Sequence, residues 1–214
     1  LAREEVRDGE AQWPLVPVLG LFALGWLAFA WPWLSGAVTI PWDAKAHFAP
    51  QIQFLAQSLA RGESPFWLPY AFSGIPQIAD PQSMMFSAPF LALALVNGNP
   101  SLTAIDAALL VALLVAGWTV IWLARDLGWH WGGALVAALG YCFGAAMAWR
   151  LQHFGQVLSL AYVPLCMIAL RRGLLAGDSW RGAAWGALAG LTAAFIVLGR
   201  DQVGLLAVYV LAGF

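Results

Sequence analysis

Six apolar runs, set apart by short polar stretches, divide the chain. They cover residues 14–34, 103–124, 131–149, 154–170, 182–199 and 203–214. A helix of about 20 apolar residues spans the hydrocarbon core of a bilayer. The pattern therefore predicts an all-α fold, a polytopic transmembrane helix bundle whose sixth span is cut off at residue 214. The runs 131–149 (Gly132, Gly133, Gly140, Gly144) and 182–199 are rich in small residues, which lets helices approach closely in a membrane. Run 154–170 is shorter and holds Pro164, and Asp106 lies near the start of 103–124.

Residues 35–100 break this pattern and read as a long first external loop with structure of its own. Phe48, Ile52, Leu55 and Leu59 recur at helical spacing with Gln51, Gln53, Gln57 and Arg61 between them. That predicts an amphipathic helix over 46–61 lying in the membrane interface, with Gly62 as its C-terminal stop. Pro65, Trp67, Pro69, Gly74 and Pro76 follow in an irregular loop. Asp80-Pro81 predicts a helix over 82–96, with Asp80 as N-cap and proline in the first turn. This stretch holds Pro89 and is short for a span, so an interfacial or re-entrant placement is expected. Asn97-Gly98-Asn99-Pro100 closes it with a turn.

Composition agrees with the pattern. Of 214 residues, 62% are hydrophobic and 10% charged, and mean hydropathy is +0.76; soluble domains carry roughly 25% charged residues. Thirteen tryptophans suit a protein with membrane–water boundaries. A net charge of -1 offers no basic face to nucleic acid. Cys142 and Cys166 lie inside apolar runs and read as small core residues rather than as a disulfide or a metal pair. The polar residues 1–12 read as a juxtamembrane tail. Their acidic side chains (Glu4, Glu5, Asp8, Glu10) and the long run that follows argue against a cleaved signal peptide. The chain starts at Leu1 and ends at Phe214 inside an apolar run, so residues 1–214 are expected to be one transmembrane domain cut from a longer protein.

Charge bias gives the orientation. With the amino terminus cytoplasmic and 82–96 not crossing, Arg3, Arg7, Arg125, Arg171, Arg172 and Arg181 fall inside, and Lys45, Arg61, Arg150 and Arg200 outside. Six against four follows the positive-inside rule, and a crossing 82–96 would invert it. In that topology four polar clusters share the non-cytoplasmic side: 42–47, 79–82, 150–153 and 200–202.

Each cluster has a chemical and a plain reading. Asp43 suits a general base at a cleft mouth, or the cap of the helix after it. Lys45, the sole lysine, suits phosphate binding or an interfacial anchor. His47 follows Asp43 by four residues and would share its helix face, with no further ligand cluster to make a metal site. Asp80 is a second carboxylate or a cap. Arg150 and Arg200 suit bidentate phosphate recognition or terminal anchoring, Asp201 can pair with Arg200, and His153 can face the cleft of Arg150. No Gly-rich phosphate loop, G-x-S-x-G, H-E-x-x-H or C-x-x-C is present, which argues against nucleotide-dependent, serine hydrolase and zinc protease chemistry.

The stretch from Trp42-Asp43 and Gln51, through Gly62-Glu63-Ser64-Pro65-Phe66-Trp67, Gly74-Ile75-Pro76 and Ala79-Asp80-Pro81-Gln82 to Pro89, resembles the amino-terminal signature of bacterial YfhO-type membrane proteins. These belong with the glycosyltransferases of the GT-C fold class. The resemblance implies an inverting transferase in the bacterial cytoplasmic membrane, working at its external face on a polyprenyl-phosphate-linked sugar donor and a cell-envelope acceptor. It places the catalytic base at Asp43, and Asp80 is expected to assist or orient it. Lys45, His47, Arg150, His153, Arg200 and Asp201 are the candidates for holding the lipid phosphate. It names no cofactor and leaves a divalent metal open; Lys45 and His47 depart from its pattern. A transporter or flippase for lipid-linked sugar or another solute, and a non-catalytic membrane scaffold, are the competing expectations.

Overall fold

The computed structural model describes residues 14–80, 82–198 and 202–214. The tail 1–12 therefore lies outside the described residues. Among those described the fold is all-helical, and its single β-type pairing is an isolated bridge between Leu68 and Ile75. The helices are α1 Leu15–Leu34, α2 Ala49–Arg61, α3 Ala88–Val96, α4 Leu102–Asp126, α5 Trp131–Phe143, α6 Ala145–Ala148, α7 Phe154–Leu174, α8 Ser179–Leu198 and α9 Gln202–Gly213. One wide turn of π-helix, Ala44–Phe48, leads into α2. Five helical segments, α1, α4, α5 with α6, α7 and α8, are long and apolar enough to cross a membrane, the architecture of a multi-pass membrane protein.

These boundaries follow the apolar runs, with two physical corrections. Span 131–149 is broken at Gly144, whose extended ψ of 157° separates α5 from α6. The second concerns 82–96. Asp80 begins no helix: its Oδ1 accepts the Gln82 amide at 2.9 Å in a local turn, and α3 starts at Ala88 behind Ser87. A nine-residue helix is about 13 Å long and cannot cross about 30 Å of hydrocarbon.

The core is built around α4 and α7. α4 packs on α1, α3, α5 and α7, and α7 packs in turn on α8 and α9. Apolar burial discriminates weakly between helices already in lipid, so polar bonds and close fits carry much of the specificity. Trp26 Nε1 donates to the Leu110 carbonyl at 2.7 Å and Trp118 Nε1 to the Leu19 carbonyl at 3.2 Å, joining α1 to α4. Cys142 Sγ reaches the Leu113 carbonyl at 3.5 Å, and Ser159 Oγ the Ile196 carbonyl at 2.9 Å. Both cysteines are buried and reduced, as expected of core residues. Pro164 explains a further bond. It has no N–H to donate to the Leu160 carbonyl one turn back. Tyr141 Oη fills that place from α5, donating to Leu160 at 2.6 Å.

The same contacts fix which helix ends lie together. Asp106, in the second turn of α4, accepts the Ile40 amide at 2.9 Å just past the end of α1. The chain from α1 to α4 thus leaves and returns at one end of the bundle. The α7 start, the α8 end and the α9 start share that end, through Ser159 with Ile196 and the close approach of Gly204 to the Ile196 carbonyl. At the opposite end Arg172 forms a two-bond ion pair with Asp126 at 2.6 and 2.8 Å, tying the close of α7 to that of α4. Arg171 and Arg172 belong to the last turns of α7, which runs past its expected end at residue 170.

Between α1 and α4 the expected loop is a packed layer. Gly62 ends α2 in the left-handed conformation at φ 68°, as its position predicts. The apolar face of α2 is closed by protein: Phe48 and Ile52 enter the main core, and Leu55 and Ala56 pack with Met85 and Ala94. The glutamines are braces. Gln53 Nε2 donates to the Pro100 carbonyl at 3.0 Å and Gln57 Nε2 to Asn99 Oδ1 at 3.3 Å, holding the turn that returns the chain to α4.

Three outcomes test this fold. Gly117→Ala, whose added Cβ would fall into the buried Phe22 ring across the α1–α4 contact, is expected to destabilise the solubilised protein by about 1–3 kcal/mol in thermal unfolding. Tyr141→Phe leaves the Leu160 carbonyl without its donor and should remove about 1–2 kcal/mol. Cysteines placed at Ser73 and Gln152 should label from one side of intact vesicles and one at Ser179 from the other.

Candidate functional site

The site starts at a strained corner. Trp42 has φ 59°, a left-handed backbone unusual for a bulky residue and worth about 1–3 kcal/mol of strain. Its carbonyl accepts the amides of Lys45 and Ala46, which starts the π-turn without help from Asp43. The Asp43 side chain makes no capping bond. Its Oδ2 instead meets His153 Nδ1 at 3.2 Å, with the two side chains 57% and 37% exposed. The plain reading of Asp43 as a helix cap therefore fails in favour of a long-range pair between residues 43 and 153.

Aromatic stacking explains how those segments meet. Phe48 stacks on Phe154 with ring centroids 5.1 Å apart, and Phe90 of α3 also stacks on Phe154 at 5.2 Å. All three rings are buried. Because His47 directly precedes Phe48 and His153 directly precedes Phe154, one hydrophobic stack sets both imidazoles on the rim of one cleft. His47 Nε2 lies 3.1 Å from Gln51 Nε2, and the same amide donates to Asp80 Oδ2 at 3.3 Å. The spacing argument pairs His47 with Asp43; the fold turns His47 to Gln51 and Asp43 to His153.

The resulting cleft is lined by Asp43, His47, Phe48, Gln82, Met84, His153, Gly155 and Gln156. Beside it, sharing Met84 and Gly155, lies an apolar pocket between the 78–87 segment and the facing surfaces of α7 and α8. Ile78, Met85, Leu158, Tyr162 and Phe195 are among its walls, and Asp80 sits at its margin. A polar cleft thus adjoins an apolar slot. Met84, common to both, has φ 55°, a second strained backbone at the junction.

Not all the candidates meet at this cleft. Asp43, His47 and His153 line it, and Asp80 joins it through Gln51. Arg150 stands just outside, bound through Nη1 to Oε1 of the lining residue Gln156. Among the described residues no carboxylate pairs with it. Lys45 is exposed and does not line the cleft. Positions 43 and 47, four residues apart, share the face toward the cleft, and 45 falls on the other face of the turn. Arg200 and Asp201 lie outside the described residues.

Two residues here, Gln77 and Gln156, carry no sequence signal of their own; Gln156 reads as part of a span, and Gln51 reads only as a polar position on α2 and a member of the 42–89 signature stretch. Gln77 is fully buried, its carbonyl accepts the Asp80 amide at 3.2 Å, and neither side-chain amide atom has a partner among the described residues. Gln51 Oε1 is likewise buried without a partner, an acceptor beside the carboxylate and imidazole it bridges. A long glutamine inside a run of small and apolar residues is the only hint such positions give. Among the described residues no three His, Cys, Asp or Glu side chains converge as a metal site.

Comparisons with known protein families, with curated proteins and with solved structures give no match to this chain.

Proposed function

We propose that this chain carries the catalytic end of a GT-C-like membrane glycosyltransferase. It would move a sugar from a polyprenyl-phosphate donor to a hydroxyl of a cell-envelope acceptor at the external face of the bacterial cytoplasmic membrane. The observation that carries this reading is the Asp43–His153 pair in a polar cleft that runs into an apolar pocket between α7 and α8. A lipid-linked sugar has that division of polarity: a hydroxyl-rich head and phosphate next to a hydrocarbon chain.

In the proposed reaction the Asp43 carboxylate takes the acceptor O–H proton as the acceptor oxygen attacks the anomeric carbon. The bond from that carbon to the lipid phosphate oxygen breaks, and its electron pair leaves with the phosphate. His153 Nδ1 holds Oδ2 of Asp43, which leaves Oδ1 directed to the acceptor. Gln51 links Asp80 to His47 from behind the cleft wall and so positions the imidazole. Arg150, held by the cleft-lining Gln156, is a cation for the departing phosphate. No step is routed through a metal ion.

Replacing a general base typically removes a factor of about 100 to 10,000. Asp43→Asn in the full-length protein, in membranes loaded with labelled polyprenyl-phosphate sugar, is expected to lower transfer at least about 100-fold. Asp43 is exposed, so thermal stability should stay near wild type. His153→Gln keeps the carboxylate and removes its partner, and a smaller loss is expected. Transfer by Asp43→Asn at the wild-type rate overturns the assignment, and movement of the donor across the membrane with its glycosidic bond intact would point to a transporter.

A further inference from the structure

The end of the bundle opposite the cleft holds a second organised charge cluster. The pocket there is lined by Asp126 from α4, Arg171, Arg172, Leu175, Ala176 and Gly177 from the end of α7 and the turn after it, and Arg181 and Trp185 from α8. Arg172 is fixed from several sides. It makes the two-bond pair with Asp126, and its guanidinium sits 4.7 Å from the Trp122 ring centroid and 5.2 Å from that of Trp185. Arg171 donates through Nη2 to the Asp126 carbonyl at 2.9 Å. Arg181 Nε lies 3.3 Å from Asp178 Oδ2.

A guanidinium carries five N–H donors. The bonds above use two of Arg172 and one of Arg171, and Arg181 is anchored on one edge only. Three arginines thus face two aspartates around one depression, each guanidinium held by its own side and with donors to spare. The surroundings are apolar and open: Leu174 is 85% exposed and Leu175 67%, beside an exposed Trp180. Tryptophan and arginine at a helix end mark the headgroup level of a bilayer. Free inorganic phosphate would find the charge but would have no use for the exposed leucines.

We infer that this pocket is a binding site for the headgroup of an anionic glycerophospholipid, with Arg171 and Arg181 on its phosphodiester and an acyl chain along Leu174 and Leu175. The site is independent of the reading of the cleft. Arg172 serves as the fixed base, its pair with Asp126 holding α4 to α7, while Arg171 and Arg181 supply adaptable donors. Basic pockets between spans are known to select acidic headgroups, each arginine near the surface contributing about a factor of five.

The test is native mass spectrometry of the full chain in detergent, titrated with phosphatidylglycerol or phosphatidylcholine. Wild type is expected to retain one phosphatidylglycerol at concentrations where phosphatidylcholine is lost. Arg171→Gln with Arg181→Gln, which spares the Arg172–Asp126 pair, should weaken that retention roughly 25-fold. Arg181→Gln alone alters a side chain 78% exposed, and should weaken it in part without loss of thermal stability. Equal retention of phosphatidylcholine by wild type, or unchanged phosphatidylglycerol retention by the double variant, overturns the site. Competition by glycerol 3-phosphate as effective as that by the whole lipid would also overturn it, because the ligand would then be a soluble phosphate.

Discussion

A hydrogen bond from the Ile40 amide to the Asp106 carboxylate holds the segment between the first two spans against the bundle. Asp106 is 4% exposed, and a charged acceptor so placed is tolerable only with a donor fixed on it. A hydrogen bond to a charged group contributes about 1.5–3 kcal/mol. Two residues after Ile40, Trp42 enters the left-handed region and starts the π-turn that displays Asp43 and His47. Phe48 closes that turn on Phe154, which brings His153 into reach. The polar cleft is a consequence of where this segment is tied down.

The two ends of the bundle are organised differently. At the end away from the cleft, α4 and α7 are locked by a two-bond ion pair under two indole rings, and α8 joins through Trp185. At the cleft end polar atoms of Gln51 and Gln77 have no partner among the described residues, and backbone strain sits at Trp42 and Met84. Locking one end firmly lets the other hold strained, half-solvated groups, since the helices that carry them are fixed elsewhere. The closely packed middle, where Trp26, Trp118 and Tyr141 meet backbone carbonyls of neighbouring spans, connects the two.

Much of the architecture was legible along the chain. Apolar run length decides where a helix crosses, because unpaired backbone groups are intolerable in hydrocarbon. The spans therefore fall close to their predicted places, and the brevity of 82–96 already argued against a crossing. Gly62 could be read as a helix stop because the left-handed turn there suits a residue without a Cβ. Asp80 misled for a comparable reason: an Asx turn and a helix cap use the same carboxylate-to-amide bond, and only the path of the next residues in space separates them.

The order of apolar runs, the local stops and the residue types able to do acid–base or phosphate chemistry were set by the sequence alone, because each depends on solvent preference and short-range stereochemistry. Pairing was decided by the tertiary structure. That Asp43 meets His153 rather than His47, and that Gln51 rather than a charged residue links Asp80 to His47, depend on how a π-turn and a stack of three phenylalanines bring distant segments together. No spacing along one segment encodes a contact whose other half lies more than a hundred residues away.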